Sequence, residues 1–81
     1  MNNNIRDETI IFLKSYFNND INKSDSAEKG IYNYSVNAAN KKGVNIDWNN
    51  DDFKSIYYSK LMSTIEIILI GRKLDFNWIN Y

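Results

Sequence analysis

The sequence predicts an all-α fold, a compact three-helix bundle with a short aromatic C-terminal tail. Three observations carry that reading. Proline is absent and only three glycines interrupt 81 residues, so long segments run without a breaker. Apolar residues recur at spacings of three and four in three successive segments, and short polar clusters separate those segments. The whole chain, 1–81, reads as one small domain with residues 71–81 as its tail, near the lower size limit at which an apolar core is self-sufficient.

In the first segment Ile5, Thr9, Phe12, Leu13, Tyr16 and Phe17 fall on one helical face, with Arg6, Asp7, Glu8, Lys14 and Ser15 largely on the others. The cluster Asn18-Asn19-Asp20 reads as the exit, and residues 22–26 as a loop. The second segment takes Asp25 as its N-cap. Glu28 stands three positions later, where its carboxylate reaches back to the cap's backbone N–H, a reading preferred over a partner contact. Ala27, Ile31, Tyr34, Ser35 and Ala38 form the stripe, with Tyr32, Val36 and Ala39 beside it. Lys41 and Lys42 suit the negative end of the helix dipole, with a binding patch as the minority reading, and Gly43 suits the left-handed position just past it. Gly30 inside the helix costs about 1 kcal/mol relative to alanine, which a close helix crossing would explain.

The third segment takes Asn49 as its cap, with Trp48 before it and Phe53 four positions inside, where the two rings clamp the incoming chain. Asp51 and Asp52 then lie in the first turn, a dipole role preferred over a metal site because adjacent helical side chains diverge. Phe53, Ile56, Tyr57, Leu61, Thr64 and Ile68 hold the stripe to about Ile70, with Lys60 at its edge and Gly71 as the stop. The β-branched run 64–70 also fits an alternating strand. The tail carries Leu74, Phe76, Trp78, Ile79 and Tyr81 without a long period; it either closes the bottom of the bundle or offers an interface.

Composition excludes most chemistry. Without cysteine there is no disulfide or thiolate zinc site, and without histidine the commonest neutral-pH acid/base and metal ligand is gone. No cofactor and no catalytic residue are expected, and the chain reads as a non-enzyme. Ten basic and ten acidic residues leave no global field for phosphate binding, so any nucleic-acid contact is local. Tyr32, Tyr34, Tyr57 and Tyr58 lack interleaved arginines and read as core or rim rather than stacking platforms. The run Ile67-Ile68-Leu69-Ile70 is too short to span a bilayer, and Met1-Asn2-Asn3-Asn4 is unlike a signal peptide. An intracellular setting, cytoplasmic or nuclear, is expected. The high Asn and Ile content hints at an AT-rich or viral source.

Two motifs carry a family resemblance. The stretch Ala27-Glu28-Lys29-Gly30-Ile31-Tyr32 matches an Ile-Glu-x-x-Ile-Phe/Tyr pattern; Tyr57, Lys60, Met62, Ser63, Ile67 and Ile68 align with Tyr-x-x-Arg-x-Arg-Ser-x-x-x-Asn-Leu. With Ile5-Arg6-Asp7-Glu8 and Ile11-Phe12-Leu13 opening the first helix, the chain resembles the central domain of the transcription elongation factor TFIIS from about Ile5 to Ile68, especially the shorter versions of large DNA viruses. Met62 and Ile67 stand where that pattern has arginine and asparagine, which removes part of the basic surface. The four-cysteine zinc ribbon that carries transcript cleavage in the family has no counterpart. The resemblance implies a non-catalytic elongation module that docks on RNA polymerase and meets nucleic acid only indirectly.

Lys60, Arg72 and Lys73 are the candidate binding residues, a local positive patch beside the apolar tail, and Trp78 is the candidate aromatic anchor. Two alternatives stand: a general protein-interaction bundle using the tail, and a small nucleic-acid-binding helical domain.

Overall fold

The computed structural model describes residues 5–69 and contains three helices: α1, Ile5–Tyr16; α2, Ile21–Lys42; and α3, Asp51–Leu69. The expected all-α three-helix bundle is the observed fold. The tail, with Arg72, Lys73 and Trp78, and the expected stop at Gly71 lie outside the described residues.

The end of α1 explains where α2 begins. Asn18 and Asn19 take left-handed backbone angles, φ 57° and 67°, which asparagine tolerates better than most residues. The Asn19 N–H donates to the Lys14 carbonyl at 2.6 Å and so closes the helix. Asp20 follows at once as the N-cap of α2, its side chain accepting the Lys23 N–H at 3.1 Å. The expected loop at 22–26 is therefore the opening turns of α2, and Asp25 is an exposed residue inside the helix rather than its cap. Residues 21–26 hold no Gly or Pro, so nothing stops a helix nucleated at Asp20 from running through them.

This earlier start sets the buried face of α2. Ser24, Ala27, Glu28, Gly30, Ile31, Ser35 and Ala39 are buried, while Tyr34 is exposed and Ala38 half-buried, so the stripe is rotated from the expected one. Most of these side chains are small, which lets α2 carry α1 on one flank and α3 on the other. The Ser35 hydroxyl donates to its own helix, to the Ile31 carbonyl at 2.7 Å, and Ser24 donates to Ile21 at 3.1 Å. Gly43 closes α2 as expected, with φ 70° and its N–H on the final carbonyls.

α3 starts one residue later than expected. Asn50, not Asn49, receives the Phe53 N–H on its side chain at 3.0 Å, while the Asn49 N–H is used inside the preceding turn by Asp47. The clamp itself is present: Trp48 and Phe53 meet edge to face at 5.1 Å between ring centres. Residues 64–69 are helical, so the strand alternative is set aside; Thr64 and Ile65 are buried and the Thr64 hydroxyl donates to the Lys60 carbonyl.

Ile5 and Leu13 of α1, Ala27 and Ile31 of α2, and Tyr57, Leu61 and Ile65 of α3 make the core, with Phe17, Tyr32 and Trp48 packed against it. Phe12, expected inside, is 45% exposed. The buried stripe of α1 steps by four, through Ile5, Thr9 and Leu13, and Phe12 stands about 60° from its centre at Thr9, on the side away from Leu13.

Candidate functional site

Two constellations stand out, one buried and one open. The buried one joins all three helices. Glu28 of α2, 3% exposed, accepts from Arg6 of α1 through Nε at 2.9 Å and Nη2 at 3.0 Å, and from the Tyr57 hydroxyl of α3 at 2.9 Å. A carboxylate out of water needs such donors, and the two-pronged guanidinium supplies them with charge and fixed geometry. The Arg6 guanidinium lies 4.5 Å above the Tyr32 ring, and Tyr32, Phe53 and Tyr57 all pack on Trp48, so aromatic faces wall the junction.

The hydrogen bond to Glu28 holds the Arg6 guanidinium above its ordinary pKa. Burial pushes the Tyr57 phenol well above the usual tyrosine value, so it stays a protonated donor at neutral pH. With its oxygens engaged by donors, the junction ties helices together and offers no free base or nucleophile. The expected role of Glu28 as a capping-box residue for Asp25 is thereby overturned, because its carboxylate faces α1 and α3. One signal pointed to this: Glu28 falls at helical spacing between Ser24 and Ile31 on the apolar stripe, and a charge there requires a partner on a neighbouring helix.

The open constellation surrounds Lys60. Its Nζ stands 4.2 Å above the Tyr34 ring, and burial lowers the ammonium below the ordinary lysine pKa. Between α2 and α3 runs a shallow groove of about 420 Å³, lined by Tyr34, Ala38, Lys42, Ser59, Lys60 and Ser63 among others. Lys41 and Lys42 close α2, as the dipole reading expected, and Lys42 also faces the same groove as Lys60. The groove brings two cations, Lys42 and Lys60, together with the small side chains of Ala38, Ser55, Ser59 and Ser63 and the apolar Ile56. Of the four expected binding residues, Lys60 is thus at an open groove, whereas Arg72, Lys73 and Trp78 lie outside the described residues.

Tyr57 belongs to the core and Tyr32 to its rim, while Tyr34 and Tyr58 are exposed. Asp51 pairs with Lys54 at 3.8 Å on the first turn of α3. Among the described residues no group of three or more side chains is arranged to hold a metal ion, and no helix is long and apolar enough to cross a membrane. Comparison with protein-family models, with curated proteins and with solved structures finds no match for this chain.

Proposed function

We propose that this chain is a non-catalytic docking module that binds an acidic protein surface through the α2/α3 groove around Lys60, and that the surface belongs to RNA polymerase. The observation that carries the reading is the groove itself, where Lys60 and Lys42 flank small residues on a domain whose net charge is zero. A local patch of that kind steers association without the broad field of a phosphate binder. The identity of the partner comes from the resemblance to the TFIIS central domain. Its support is that Arg6, Glu28 and Tyr57, which carry the resemblance on three separate segments, are the residues that meet at the helix junction. Arg72 and Lys73, which follow α3 in sequence and lie outside the described residues, are further candidate contacts in the same reading.

The test is retention of the full chain on RNA polymerase from its source, against a Lys42→Glu, Lys60→Glu variant of matched helicity. Retention of the native chain and its loss in the variant is the expected result. Failure of the native chain to be retained removes the transcription reading, and equal retention of both removes the groove. Titration with single-stranded RNA at increasing salt separates the nucleic-acid alternative, which demands binding with a steep salt slope.

A further inference from the structure

α1 and α3 pack on the two flanks of α2, and among the described residues no Cα of one comes within 8 Å of a Cα of the other. A groove of about 210 Å³ is left between them, with Leu61 on its floor and Phe12, Tyr58 and Met62 standing 45%, 41% and 52% exposed around it. Large apolar side chains gathered in one place on so small a domain mark an interaction surface. The charges beside them are ordered. Along α3, Lys54, Tyr58, Met62 and Glu66 follow one another in steps of four and form a single ridge, with a cation at one end, an anion at the other and two side chains favoured at interfaces between them. Glu66 is exposed, and Lys54 meets exposed Asp51 at 3.8 Å, a long surface contact that holds it weakly.

We infer that a second copy of this chain covers the groove, the two α3 ridges packing antiparallel about a two-fold axis. The charge order selects that occupant. A two-fold contact pairs residue i with j and j with i. With the axis level with residue 60, midway along the ridge, Tyr58 of each copy faces Met62 of the other, and Lys54 of each faces Glu66 of the other. Every position of the ridge thus meets its complement, twice. A parallel arrangement sets Lys54 against Lys54 and Glu66 against Glu66, and like charge rejects it. Geometry agrees. Each step of four drifts about 40° round the helix, so the ridge is inclined to the axis, and two such ridges interlock at a crossing of about 50°. Tyr58 and Met62 then lie at the crossing, walled by Phe12 of α1, while the long Lys54 and Glu66 side chains reach across at its edges. Met62, unbranched and flexible, suits an irregular slot such as the groove of the facing copy. A patch of this size belongs with small, transient interfaces, below about 1,200 Å² in total, so the pair forms at high rather than low protein concentration. The groove around Lys60 lies between α2 and α3 and stays open, which makes this inference independent of the polymerase reading.

Sedimentation equilibrium of the full chain from about 10 μM to about 1 mM tests it. The native chain is expected to move from the mass of one copy towards that of two as concentration rises. Lys54→Glu and Glu66→Lys each set like charges opposite one another twice, and each should weaken the association at least about tenfold at unchanged helicity. An equimolar mixture of those two variants should recover it, because one copy then offers acid and the other base at both contacts. Met62→Glu should abolish it by placing a charge at the crossing. A one-copy mass throughout the range overturns the inference. So does an association that survives Met62→Glu, one that either charge variant leaves intact, or a mixture that associates no more tightly than its components.

Discussion

Replacing Glu28 by alanine is the sharpest perturbation of this fold. The carboxylate receives two bonds from Arg6 and one from Tyr57, and hydrogen bonds to a charged group are worth about 1.5–3 kcal/mol each. Their sum overstates the cost, because the Arg6 side chain is 45% exposed and is rehydrated when its partner is gone. The Tyr57 hydroxyl is buried and loses its acceptor, at about 1–3 kcal/mol, and the removed carboxylate leaves a small void. Together these give about 2–4 kcal/mol for Glu28→Ala. Glu28→Gln keeps the shape and one acceptor but loses the charge, for about 1–2 kcal/mol. A domain of this length has a total stability of about 4–12 kcal/mol, so the alanine variant loses a large share of it. Urea unfolding followed by the helical circular dichroism signal measures both values, with the slope expected to stay unchanged. A Glu28→Ala cost below about 0.5 kcal/mol would refute the junction and return Glu28 to a solvated helix surface.

Four further outcomes are expected. Asp20→Ala should cost about 1 kcal/mol and Asp25→Ala almost nothing, since only Asp20 caps α2; the same urea series reads both. Gly43→Ala should cost about 1 kcal/mol although a Cβ there meets no neighbour, because φ 70° strains any L side chain; Gly43→Asn should cost less. Trp48→Ala should cost about 3 kcal/mol by removing the ring against which Tyr32, Phe53 and Tyr57 pack. Stability should also fall as pH rises above about 10. The unfolded chain releases the Tyr57 proton there while the folded chain retains it, so the Tyr57 contribution is whole below that pH and declines above it, and Tyr57→Phe should flatten the decline in a pH series of unfolding curves.

Much of the architecture was legible because it rests on local rules. Gly43 after Lys41 and Lys42, and the Trp48–Phe53 clamp, depend on residues close in sequence and appear where the pattern placed them. The start of α2 was misread because Asp20 and Asp25 are both competent caps, and local chemistry alone does not rank them. Phe12 was misplaced because a short helix packed on one neighbour buries a narrower stripe than its apolar residues suggest. Lys60 is legible at the edge of the α3 stripe, and Lys42 as a helix end with a binding patch as the minority reading, but that both line one groove with Tyr34 is not legible, since their meeting depends on how α2 crosses α3.

By itself the sequence determined that this chain is helical, that it folds as three segments, and that histidine- and cysteine-based chemistry is closed to it. Those properties follow from residue inventory and from periodicities of a few residues. Only the tertiary structure decided that Arg6, Glu28 and Tyr57 form one junction, because they lie 22 and 29 residues from one another along the chain and no local rule couples them. A buried charge announces the need for a partner, but the packing of the helices chooses which partner meets it.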